Sequence, residues 1–378
     1  MKIMLPPKTR SPRHENGRTC RKPGFTLTEL MIGGSIMLVL VLITLTLYAK
    51  SNKVSVDQGE YSEMQHDVRS SMYFITKDVR MAGIGLPQEF MGYFIGGVDN
   101  DATDTAANVT PDRLTLLGNI DYPISLSIYR YQGASVTLDL EDYSFEQNTY
   151  PDSFYNNKIA IVVPNPSSTC RVAEFRVITH VTHSTGATNE KLNFSPGQAP
   201  GINPPGGLSG TCSNSSDYDG GSSLLVNVKE YWLDVTGHYP GLTSGQNGYI
   251  GNGDGNILYC MDNGVNYPLA QNIENLQFQY NGDLDNDGGL DGFQNWNVNW
   301  TTDQVGRIRL VRAWVLGKTK NKFVSISGSP PGGIHLYRRP AVANTAAASA
   351  DDLCRRFLLD STASVRNMNL NLYYLGER

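Results

Sequence analysis

The sequence predicts an α+β protein, one long N-terminal helix followed by a large antiparallel β-sheet domain. Three observations carry this. Residues 30–47 hold no charge, and eighteen helical residues rise about 27 Å, close to the ~30 Å of a bilayer's hydrocarbon core. Further on, Tyr61, Met64, Val68, Met72, Ile75 and Val79 are spaced 3, 4, 4, 3 and 4, one apolar stripe at helical period. After Gly83 the apolar residues fall at period two, the spacing of strands with one buried face.

The elements follow in order. Residues 1–24 carry seven basic residues (Lys2, Lys8, Arg10, Arg13, Arg18, Arg21 and Lys22) against one acid, Glu15. Such a flank stays cytoplasmic, so the C-terminal bulk is expected to be exported. Glu29 sits at the mouth of the apolar run, where a carboxylate costs about 2.5–3.5 kcal/mol at mid-membrane and less at the edge. It makes sense if the chain is cut after Gly24. The new amine of Phe25 is then a cation one helical turn away, and the carboxylate can pair with that amine or a neighbour's. Residues 1–24 therefore read as a leader, outside the fold.

The helix is expected over 25–83, with its membrane segment at about 30–48. Its polar face carries Glu60, Glu63, Asp67, Arg69, Lys77 and Asp78, and no proline falls between Pro23 and Pro87 to kink it. Gly83, Gly85 and Pro87 stop it. Residues 84–378 form the β domain. Strands are expected at 113–117, 124–131, 135–140, 158–163, 171–182, 224–235, 272–280, 307–316, 334–339, 354–359 and 364–375, with a hairpin within 249–261. Gln132-Gly133-Ala134 reads as a hairpin turn, and 185–222, rich in Gly, Pro, Ser and Asn, as a long surface loop.

Charged residues are 18% of the 378 and the net charge is −5, which gives no reason to expect nucleic-acid binding. Cys20 belongs to the leader, while Cys170, Cys212, Cys260 and Cys354 are an even set in an exported region. Two disulfides are expected, Cys170–Cys212 and Cys260–Cys354 being the sequential pairing among three connectivities. No nucleophile elbow, phosphate loop or zinc-protease pattern occurs and the histidines are scattered, so no enzyme is expected.

Lys22-Pro23-Gly24-Phe25-Thr26-Leu27-Thr28-Glu29-Leu30 resembles the class III signal of type IV pilins and pseudopilins. The resemblance implies a pilin-like fold, cleavage after Gly24 by a prepilin peptidase, and N-methylation of Phe25. It also implies an assembly role for Glu29. Asp78-Val79-Arg80-Met81-Ala82-Gly83, 269–280, 307–316, Arg355-Arg356-Phe357 and Ser364-Val365-Arg366-Asn367 are similar to PilW-type minor pilins and J-type pseudopilins. The implied partners are other minor pilins, the major pilin, the inner-membrane assembly platform and membrane lipid. The implied location is the inner membrane, single-pass with a cytoplasmic N-terminus, and afterwards the periplasm and an extracellular pilus. Three functions compete: a minor pilin that starts and tips a type IV pilus, a pseudopilin of a type II secretion system, and a calcium-dependent tip adhesin.

The sharpest chemical motif is Asp283-Leu284-Asp285-Asn286-Asp287-Gly288-Gly289-Leu290-Asp291. Carboxylates at positions 1, 3 and 5 converge when a glycine at 6 allows a tight turn; the seventh residue, Gly289, offers its carbonyl and Asp291 a carboxylate or bridging water. Ca2+ is the cation this donor set predicts. Gln294 stands at position 12 in place of the bidentate glutamate of an EF-hand, so a stand-alone loop of modest affinity is expected. Phe293, Trp296 and Trp300 are expected as an apolar lid beside it. Asn252-Gly253-Asp254-Gly255-Asn256, with one carboxylate, reads as a turn.

Overall fold

Helix α1, Leu27–Met81, runs 55 residues without a break. This computed structural model describes residues 24–86, 92–100, 110–120, 125–131, 137–140, 152–170, 173–182, 191–195, 215–235, 256–320, 337–349, 351–352 and 354–365. The leader up to residue 23, Cys212, the 132–134 turn, the 252–255 turn residues, most of the 185–222 loop and residues 366–375 of the strand expected at 364–375 fall outside them. The chain divides into two compact units, Met1–Val56 and Asp57–Arg378.

In the first unit the helix is exposed all round, Leu30, Met37, Leu40 and Leu47 included. It is long and apolar enough to cross a membrane once. In the second unit α1 buries Met64, Val68, Met72, Ile75 and Val79, five of the six residues of the expected stripe. The helix ends where Gly83 and Gly85 turn left-handed (φ 75° and 73°) and the Gly83 N–H donates to the Leu117 carbonyl at 2.9 Å.

Among the described residues sixteen strands follow. β1 (Ile95–Val98), β2 (Arg113–Gly118), β3 (Ser125–Tyr131), β4 (Thr137–Leu140), β5 (Ile159–Val163), β6 (Glu174–Val177), β7 (His180–Thr182) and β8 (Lys191–Asn193) come first. β9 (Ser222–Asp234), β10 (Ile257–Asp262), β11 (Val265–Ala270), β12 (Ile273–Gly282), β13 (Ile308–Lys318), β14 (Tyr337–Arg338), β15 (Asp351–Asp352) and β16 (Arg356–Ser364) come after. Two short helices intervene, α2 (Asp152–Tyr155) and α3 (Thr302–Gly306).

Eleven strands share one sheet, and β9 is its spine. The N-terminal half of β9 lies between β3 and β5, and its C-terminal half between β2 and β10. A second sheet has the order β12-β13-β16, all antiparallel. One core gathers the α1 stripe with Leu114 and Leu116 of β2, Leu233 of β9, Phe278 of β12 and Val311, Ala313 and Val315 of β13. A second core lies around Leu126, Leu138, Val162, Leu192 and Leu225. Strand alternation puts Trp314 and Leu316 on the other face of β13, where they meet Val342.

Close approach and a buried polar contact dock α1. A Cβ on Gly317 would stand 2.5 Å from Val68 Cγ2 and 2.9 Å from Met64 Cγ, so β13 needs a glycine beneath the helix. Buried Asp78 accepts from the Tyr231 hydroxyl at 2.6 Å and lies 3.1 Å from the Lys229 ammonium, both on β9.

Several expectations change. The 185–222 stretch is not all surface loop, since Lys191–Asn193 form β8 between β4 and β7, with Leu192 and Phe194 buried. The single strand at 171–182 is two, because the chain switches sheet neighbours at Ile178 and Thr179. The Ile178 N–H donates to Lys158 beside β5, and the Thr179 N–H to Asn193 of β8. The hairpin expected within 249–261 is formed later in the chain, by β10 and β11. β11 is a largely exposed strand whose Pro268 weakens its strand signal.

Candidate functional site

Two sites expected from the sequence can be built from the residues upward. At the start of α1, Thr26 and Glu29 form a capping box. Glu29 Oε2 accepts from the Thr26 N–H and hydroxyl, both at 2.9 Å, and the Glu29 N–H donates back to Thr26 Oγ1 at 3.3 Å. The exchange satisfies N–H groups that the first helical turn leaves without partners. The expected pairing of Glu29 with an amine thus meets an internal rival. The signal was readable, since Thr26-x-x-Glu29 is the capping-box pattern. Gly24 and Phe25 lie just before the helix, and Phe25 is exposed.

The acidic loop leaves the end of β12. One oxygen from each of Asp283, Asp285 and Asp287 lies within 4.8 Å of the others. At that spacing three carboxylates repel one another by about 1 kcal/mol per pair even in water. The loop's own amides hold them inward. Asp283 Oδ2 accepts from Gly288 N at 3.2 Å, Asp285 Oδ1 from Asp287 N at 3.2 Å, and Asp287 Oδ1 from Gly289 N at 2.7 Å. Asn286 (φ 65°) and Gly288 (φ 88°) supply the left-handed residues of the turn. Asp283 Oδ1 is buried and makes no hydrogen bond.

Asp291 does not join the three. Its carboxylate accepts from Leu284 N at 2.6 Å, and its own N–H donates to Gly282 O at 3.0 Å, so it closes the loop. Gln294 exchanges two backbone hydrogen bonds with Tyr280, each 2.8 Å, which pins position 12 against β12. Leu284 is buried in the core, and its carbonyl accepts from the α3 capping residue Gln304 at 3.3 Å. Arg309 of β13 donates from Nη1 to the Gly306 carbonyl at 3.0 Å, and burial lowers its pKa while the charge of Asp283 acts against that.

No protein-family model, curated protein or solved structure matches this chain. The reading of its sites therefore rests on its own residues. Trp296 and Trp300 are only partly a lid, since they pack edge-to-face with buried Tyr280 at 5.2 and 6.2 Å. Phe293 instead lies 6.0 Å from the Arg312 guanidinium.

The cysteine pairing is corrected. Cys260 and Cys354 are free. They belong to different sheets: Cys260 is in β10, where burial pushes its thiol up to about 11 and Tyr231 hydrogen-bonds to it, and Cys354 is buried just before β16. Cys170 is disulfide-bonded; Cys212, its expected partner, lies outside the described residues.

Proposed function

We propose that this chain is a minor pilin-like subunit that is cut after Gly24 and inserted, through α1, into a filament that starts at the membrane. The observation that carries the reading is a wholly exposed apolar helix with one carboxylate, Glu29, at its mouth. Apolar surface on that scale needs lipid or other helices around it. On leaving lipid, the Glu29 carboxylate exchanges its neutral Thr26 donors for the ammonium of a neighbouring Phe25, so that both partners of the new contact carry charge. The prepilin peptidase, the assembly platform, the major pilin and other minor pilins are the partners this reading requires. N-terminal sequencing of the mature protein is expected to begin at a methylated Phe25. Glu29→Ala is expected to leave the protein in the membrane and out of fibres at least tenfold; equal incorporation would overturn the reading. A type II secretion pseudopilin would use the same signal, and neighbouring pilus or secretion genes distinguish the two.

A second reading concerns the acidic loop. Asp283, Asp285 and Asp287, with the carbonyl of Gly289, suit a hard divalent cation such as Ca2+. A bound ion would cancel their mutual repulsion and supply the unmade bond of Asp283 Oδ1. Displayed at a pilus tip, the loop would make adhesion calcium-dependent. Calorimetric titration with Ca2+ is expected to give one saturable site, weakened at least tenfold by Asp285→Asn. No heat, or unchanged binding in the variant, would remove the loop from the account.

A further inference from the structure

The face of β12–β13–β16 turned away from α1 carries an unusual polar layer. Asn275 and Gln277 lie on β12 opposite Leu316 and Trp314 of β13, the residues covered by Val342. Both amides are 0% exposed. Asn275 Oδ1 accepts from Leu276 N at 2.9 Å and from Gln277 Nε2 at 3.2 Å, and Gln277 Nε2 also donates to Thr110 O at 2.8 Å. These bonds fix both amide orientations and leave Asn275 Nδ2 and Gln277 Oε1 without partners. Above lies the 339–348 segment, closed by Ala348 N donating to Arg339 O at 3.1 Å and by two Val342–Thr345 backbone bonds.

Arg339, 4% exposed, sits in that segment. Its Nη2 donates to the Ala346 carbonyl at 3.2 Å, while Nε and Nη1 are buried and make no hydrogen bond. Among the described residues no carboxylate pairs with it. Thr345 is 7% exposed and its hydroxyl is also without a partner. An arginine is a permanent cation, and a buried charge without a counter-charge is strongly unfavourable. Water can satisfy an amide or a hydroxyl but does not neutralise a guanidinium. Within the 339–348 segment the unmet groups are the Nε and Nη1 donors of Arg339 and the Thr345 hydroxyl, which can donate as well as accept.

We propose that Arg339 and Thr345 bind a small oxyanion, a phosphate or a carboxylate, held by one edge of the guanidinium fork and by the hydroxyl. The site is separate from the Glu29 and acidic-loop readings and does not depend on them. The test uses the full chain in detergent, at constant ionic strength, with inorganic phosphate and acetate in separate arms and chloride as the reference. Phosphate or acetate is expected to raise the unfolding temperature saturably, by several degrees over chloride. Calorimetry is expected to show at least tenfold weaker binding in Arg339→Met and a smaller loss in Thr345→Val. The stronger arm identifies the source chemistry. Absence of a saturable effect in both arms overturns the proposal, as does equal binding by a folded Arg339→Met. Should Arg339→Met fail to fold, unchanged binding by Thr345→Val together with Arg339→Lys overturns it.

Discussion

Asp112 is a carboxylic acid held almost out of water, and its chemistry shows how one residue can set a pH response. Burial drives its pKa up to about 7, the backbone N–H groups of Asn100 (2.9 Å) and Phe278 (2.7 Å) pull it down, and the charge of Asp99 pushes it up. The folded state therefore holds this proton more tightly than the unfolded chain, whose value is near 4. Its stabilising contribution is full below about pH 4 and is lost as pH rises toward 7. Unfolding midpoints measured from pH 4 to 8 are expected to fall over that window, and Asp112→Asn to flatten the fall. A variant with the same slope as the parent would assign the response to another group. Nothing in the sequence marked this residue, because one of its two partners, Phe278 of β12, lies 166 residues further along the chain. The turn of 283–287 was legible because its geometry is local, five residues long; the capping box of Thr26 and Glu29 spans four and could have been read the same way.

Elements were legible to the same extent that their partners left a periodic mark. The α1 stripe was visible at its 3.6-residue period, and β9, β12 and β13 read as strands because each buries most of its length. β11, with Pro268 and four exposed or half-exposed neighbours in its first five residues, carries little such mark and was missed. The split of β6 from β7 was missed because alternation cannot report a change of neighbouring strand. Close approach leaves a different signature, a glycine where a side chain would collide. Gly317→Ala forces a methyl against Val68, which cannot swing away as a long side chain could. The expected cost is about 1–3 kcal/mol by denaturant titration. A loss below about 0.5 kcal/mol would mean that α1 is free to lift from β13.

At the level of the whole molecule, the second unit contains its own cores. Every α1 residue of the larger core lies at or after Val68, well inside Asp57–Arg378. A chain beginning at Asp57 is expected to stay soluble without detergent and to unfold cooperatively, as a domain with complete cores does. Aggregation of that fragment, or a broad non-cooperative transition, would show that the apolar half of α1 is needed for folding. The shared spine of the large sheet has a kinetic consequence as well. β2, β3 and β5 each wait for β9, which the ribosome delivers about a hundred residues after the first of them. Until then only the pairings that do not use β9 can close, β1–β2, β5–β6 and the β3–β4–β8–β7 ribbon. Loop closure over such separations is slow, in the millisecond-to-second range of non-local β topologies. A nascent chain stalled before Ser222 would therefore hold several ribbons with bare edges, and a chaperone that masks those edges would have its largest effect at that point in synthesis.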